Sequence, residues 1–182
     1  MKIVVAITGA SGAIYARQCL ELLLNNKEVE RLGVILSKYA PDVIKAEGIT
    51  LPEDERITYF DNDDMWASVA SGSAKWDAML VVPASMGAVA RLATGVSQTL
   101  IERAADVMLK ERRRVVVVVR EAPYSLIHLR NMTTLTEAGA IIFPASPSFY
   151  FGTTTIEELC MELSRRIVGM LGVEIAHRQW GE

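Results

Sequence analysis

Arg120 and Glu121 stand side by side directly after five consecutive valines, Val115 to Val119. Such a run reads as a strand buried on both faces, and a parallel strand delivers the residues after it to the sheet's carboxyl edge, where open α/β folds bind ligands. A guanidinium and a carboxylate at the end of an apolar strand need partners, because charge taken out of water alone is costly. The pair can recognise an anion and handle a proton, or it can serve as a salt bridge that fixes a loop or a subunit contact.

A second chemical signal lies near the amino terminus, where residues 6 to 13 read AITGASGA after a β-branched run. Gly9, Ala10 and Ser11 offer backbone N–H groups and a hydroxyl at the start of a helix, with side chains small enough for a phosphate to approach. Gly9-Ala10-Ser11-Gly12 is not the G-x-G-x-x-G fingerprint, and the second strand ends in Ser37-Lys38 without the acid that holds a dinucleotide ribose. The turn therefore suits a mononucleotide rather than NAD, or else serves chain geometry alone. Ser37 and Ser85 end the second and fourth strands at the same edge, as ligand-binding hydroxyls or as helix N-caps.

The elements that must position these groups alternate. Strands are predicted at 3–8, 32–37, 57–60, 78–85, 115–119 and 140–143, and helices at 14–24, 39–46, 99–112, 124–138 and 156–171, with a further helical stretch after residue 85 that breaks near Gly95. Alternation of this kind makes an α/β fold, a Rossmann-like doubly wound parallel sheet in three layers, and no linker or change of composition divides residues 1–182 into more than a single domain. Residues 61–77 are expected as a loop with one short helical turn.

Bulk properties remove several classes of function. The net charge is −3 with both signs interleaved, which offers no field for nucleic acid; the basic run at 110–114 reads as a helix end complementing its macrodipole. Cys19 and Cys160 lack His or Asp companions at ligand spacing, so no metal site is expected, and they read as buried thiols of a reducing compartment, the cytoplasm. No apolar run reaches the length of a membrane span. The hydrophobic fraction of 51% leaves apolar surface to bury between subunits, which favours a homo-oligomer. His128 sits in an apolar helical pattern, and neither it nor His177 lies near a nucleophile motif. Trp66 and Trp76 read as packing residues or interface anchors.

Four segments together resemble one family. AITGASGA at 6–13, LIERAADVMLKERR at 100–113, REAP with IHLRNM at 120–123 and 127–132, and FPASPSFY at 143–150 resemble the flavin prenyltransferases, the UbiX-like branch of the flavin-containing decarboxylase-like flavoproteins. That resemblance implies transfer of a dimethylallyl group from dimethylallyl phosphate to N5 and C6 of reduced FMN without a metal, the prenylated FMN passing to a UbiD-type decarboxylase. It assigns Gly9, Ala10, Ser11, Ser37, Ser85, Met86, Gly87, Ala88 and Arg120 to FMN. Lys110, Arg120, Tyr150 and Arg166 fall to the prenyl phosphate, although on residue type alone Lys110 is a solvated helix end, Tyr150 a core residue and Arg166 an exposed one. Glu121 is implied as proton donor or orienting group, Glu47 as a carboxylate near the substrate, and Trp180 as a lid from a neighbouring subunit in an assembly that resembles a dodecamer.

Three positions depart from the family pattern: Met86-Gly87-Ala88 where a hydroxyl commonly follows Ser85, Thr99 for an asparagine, and Thr153 for a proline. Two rival functions share the flavin. A cysteine-type decarboxylase needs a histidine early in the chain and a PASANT-like loop, whereas no histidine precedes His128 and the loop reads PASMGA. A non-catalytic FMN-binding or flavin-delivery protein would keep the site and lose the turnover.

Overall fold

The computed structural model describes residues 1–176 and 181; the expectation for Trp180 lies outside the described residues. Strands β1 (Lys2–Ile7), β2 (Arg31–Leu36), β3 (Ile57–Phe60), β4 (Ala78–Ala84), β5 (Arg114–Val119) and β6 (Ile141–Pro144) form a single parallel sheet in the order β3-β2-β1-β4-β5-β6. The chain winds outward from β1 in one direction and then from β4 in the other. The switch point is therefore the seam between β1 and β4, which pair from Ile3 opposite Ala78 to Ala6 opposite Val81.

Side chains of the central strands alternate between two cores, which is why those strands read as unbroken apolar runs. Ile3, Val5, Ile7, Val116 and Val118 pack beneath α1 (Ala13–Leu24) and α6 (Ile156–Gly169), while Val4, Ala6, Val115, Val117 and Val119 face α3 (Met86–Thr94), α4 (Leu100–Lys110) and α5 (Leu126–Glu137). Helix α2 (Ala40–Ala46) leans on the first core through Ile44. This is the expected doubly wound arrangement in three layers.

Differences from the sequence reading are local. The 61–77 segment carries two short 3₁₀ turns, Ser68–Ala70 and Gly72–Ala74, and it buries Trp76 against the edge of Phe60 while leaving Trp66 97% exposed. Of the basic run after α4, Arg113 does not cap the helix: its Nη2 donates to the carbonyl of Gly72 at 2.7 Å, bracing that segment. His128, placed in an apolar helical pattern, is half-buried, and its Nδ1 accepts the Ser125 amide at the start of α5. Cys19 and Cys160 are buried free thiols, as expected, and burial pushes Cys19 up to about 12.

Candidate functional site

Two groups of polar residues meet at the carboxyl edge of the sheet. The first is a cleft of about 380 Å³ at the seam between β1 and β4, lined among others by Gly9, Ser37, Lys38, Ser85, Ala88 and Arg91. Its position comes from topology, since the connections after β1 and β4 run to opposite faces and leave a crevice between them.

Thr8 pins that crevice. Its hydroxyl donates to the carbonyl of Pro83 at 2.8 Å and accepts the Ser85 amide at 2.8 Å, so the two diverging strand ends are tied through one buried side chain. Ser85 caps α3, its Oγ accepting the Ala88 amide at 3.3 Å. Gly9 is required by close approach, because a Cβ there would lie 3.0 Å from that of Tyr39.

The far wall is built on Glu102, whose side chain is only 2% exposed. One carboxylate oxygen accepts the backbone amides of Gln98 and Thr99, each at 2.9 Å, which closes the first turn of α4; the other is paired with the Arg91 guanidinium. Thr99, one of the positions that departs from the family pattern, keeps its place at the start of that helix.

The second group lies beside the β1–α1 loop. Arg120, at the end of β5, reaches across β4 and donates from Nε to the carbonyl of Ser11 at 3.1 Å. Glu47 accepts the amides of Gly12 at 2.8 Å and Ala13 at 2.7 Å, and Gly12 holds a left-handed φ of 112° to present them. Burial pushes the Glu47 carboxyl up, but the Ser11 hydroxyl, those two amides and the Arg120 charge outweigh it and hold the group below its usual range. The chain thus supplies its own anion to the amides of Gly12 and Ala13 at the start of α1.

Glu121 is half-buried next to Arg120, with one oxygen accepting the Ala122 amide at 3.0 Å. It does not pair with Arg120 among the salt bridges of the described residues, so the two are separately available. Ala10 and Met86 are buried beneath these loops, whereas Gly87 is exposed on the first turn of α3. Tyr150 is exposed on the loop after β6, its ring 4.4 Å from that of Phe151.

The remaining candidates are not gathered with these. Lys110 ends α4, eight residues beyond Glu102 and so about 12 Å down the helix axis, toward the edge where β5 begins. It pairs there with Glu111, which packs over Gly72. Arg166 is exposed on α6, nine residues and about 13 Å past Glu157, which is bonded to Arg17 of α1. Neither lines the cleft.

Thr8, Lys38, Arg91 and Glu102 are among the cleft residues that sequence reasoning passed over. A signal existed for Glu102, since Thr99-x-x-Glu102 has the spacing of a capping box before an apolar helix. Among the described residues no cluster of metal-ligating side chains occurs, and no helix is long and apolar enough to cross a membrane.

Residues 1–169 match the Flavoprotein family model. A flavin prenyltransferase UbiX of Methanocaldococcus jannaschii is 40% identical over 185 residues, covering 100% of this chain and 99% of its own length. Among solved structures, an AnUbiX in complex with FMN and dimethylallyl pyrophosphate superposes with a TM-score of 0.91 at 41% identity, covering 100% of this chain and 97% of that one. A dodecameric FMN-dependent UbiX-like decarboxylase from Escherichia coli O157:H7 superposes with a TM-score of 0.92 at 34% identity over the full length of both chains.

Proposed function

The chain belongs to the flavoprotein family, and from that premise we infer that it is a flavin prenyltransferase, moving a dimethylallyl group from dimethylallyl phosphate to reduced FMN. The observation that carries this function furthest is the meeting, at one sheet edge, of a polar cleft and the Arg120–Ser11–Glu47 group on a chain that flavin prenyltransferases match end to end.

The residues present fit a flavin mononucleotide. The cleft offers the hydroxyls of Ser37 and Ser85 and the cations of Lys38 and Arg91, equipment for a phosphate monoester, and nothing at the end of β2 would hold a second ribose. When bound, reduced FMN supplies the nucleophilic nitrogen and carbon that accept the prenyl group. Gly9 and Ser11 would lie along it, and Glu47 would keep the loop that carries them in place.

The chain's own chemical task is to help a phosphate leave and to protect an allylic cation from water. Arg120 is positioned to neutralise the departing phosphate. Glu121 beside it, with one carboxylate oxygen held by its own backbone, would orient or protonate that group. Tyr150 lies on a loop that leaves the same edge of the sheet. The apolar fraction of the chain supports a homo-oligomer and, by likeness to the E. coli neighbour, a dodecamer, in which Lys110 and Arg166 would join from neighbouring copies. A UbiD-type decarboxylase would receive the prenylated FMN, and two buried free thiols favour work in the cytoplasm.

The test is anaerobic turnover of reduced FMN with dimethylallyl phosphate, read by mass spectrometry of the released flavin. A flavin heavier by one dimethylallyl unit is expected. Tight FMN binding with the flavin returned unchanged would instead favour a delivery protein.

A further inference from the structure

We propose that Arg91 is the residue by which this cleft selects a phosphorylated flavin. The proposal rests on the flavin function argued above and deepens it, because the Arg-Glu-Ala-Pro segment does not line the cleft, and the cations that do are Arg91 and Lys38.

Three observations converge on this side chain. Arg91 lines the cleft and is 47% exposed, yet its Nε is fixed by a carboxylate that is itself buried. An arginine carries five N–H donors in a rigid planar fork. With Nε engaged by Glu102, the fork that borders the cleft is held in place, so little side-chain freedom remains to be lost on binding.

Second, the guanidinium extends over the first turn of α3. A Cβ built on Gly87 would lie 3.5 Å from Arg91 Nη1. Glycine at 87 thus leaves a lane between the start of the helix and the fork, and Ala88 offers no hydroxyl of its own to an anion there. Arg91 brings the strong donor that this wall otherwise lacks.

Third, the charges within the cleft favour an anion. Glu102 neutralises one cation, and Lys38, whose ammonium stands 5.5 Å from the Tyr39 ring, leaves a second on the opposite wall. A phosphate monoester between Arg91 and Lys38, with Ser37 and Ser85 alongside, satisfies both. A neutral ribityl chain without phosphate would satisfy neither.

The closing experiment compares FMN with riboflavin, which differ only in the phosphate. Quenching of flavin fluorescence gives the affinity of each for wild type, Arg91→Ala and Arg91→Lys. Arg91→Ala is expected to weaken FMN by about ten- to a hundredfold, the range for losing a charge-assisted contact, and to leave riboflavin unchanged. Arg91→Lys should recover part of the loss. Since Arg91→Ala leaves Glu102 buried without its cation, the double variant Arg91→Ala/Glu102→Gln keeps an amide oxygen for the Gln98 and Thr99 N–H groups and should show the same selective loss. Equal weakening of both flavins, or unchanged FMN affinity in a folded variant, overturns the role of Arg91 alone. If wild type itself binds no FMN, the flavin function falls and this inference with it.

Discussion

At the scale of single residues, Glu121 and Glu47 are two carboxylates with different duties. Glu121 is not committed to a cation, so Glu121→Gln keeps its shape and its bond to Ala122 while removing the proton. FMN and prenyl phosphate should bind as before while product formation falls by at least an order of magnitude, in the range of general acid–base contributions of about 10²–10⁴. Wild-type turnover in that variant, followed by single-turnover mass spectrometry, would return Glu121 to a merely structural part. Glu47 is a helix anchor: Glu47→Ala strips the Gly12 and Ala13 amides of their acceptor and should cost about 1–3 kcal/mol in denaturant unfolding. Its folded value is depressed below the ordinary 4.5, so the stabilisation is complete above that pH and is lost as pH falls through the lower folded value. Thermal unfolding across that acid range should therefore flatten in Glu47→Gln, which cannot titrate.

At the scale of elements, the crevice depends on the Thr8 hydroxyl. Thr8→Val preserves volume but leaves the Pro83 carbonyl and the Ser85 amide without their shared partner, at a cost of about 1–3 kcal/mol. FMN affinity should fall along with stability, which separates it from Glu121→Gln. The strands and helices themselves were legible in the sequence to within a few residues, because β-branched runs and helical spacing are local signals; the 115–119 strand and the break at Gly95 are examples. The cleft wall was not legible in the same way. Thr8 acts on residues 75 and 77 positions away, and Arg91 meets Glu102 across a helix break, so neither pairing leaves a period in the chain. Likewise the glycine turn announced an anion site, but only tertiary structure reveals that Glu47, 35 residues on, already fills part of it.

At the scale of the whole molecule, α5 is the element that one subunit leaves unfinished. It buries Leu135 but exposes Leu126 at 60% and Ile127 at 67%, and an apolar groove runs beside it past Tyr124, Leu129 and Met132. Such a face on a high-apolar chain is expected to be covered by a second copy. Ile127→Lys should lower the mass seen by light scattering while far-ultraviolet circular dichroism stays unchanged; an assembly of wild-type size would place the contact elsewhere.

The distance between Lys110 and the cleft has a consequence in genetics. If the lysine on one chain serves the Arg120 of another, no single subunit forms a whole reaction centre by itself. Two defective alleles, Lys110→Ala and Arg120→Ala, should then rescue one another: each protein alone is silent, yet subunits dissociated and reassembled together recover activity in proportion to the junctions that pair an intact Arg120 with an intact Lys110. A heterozygous cell would work where either parent strain fails.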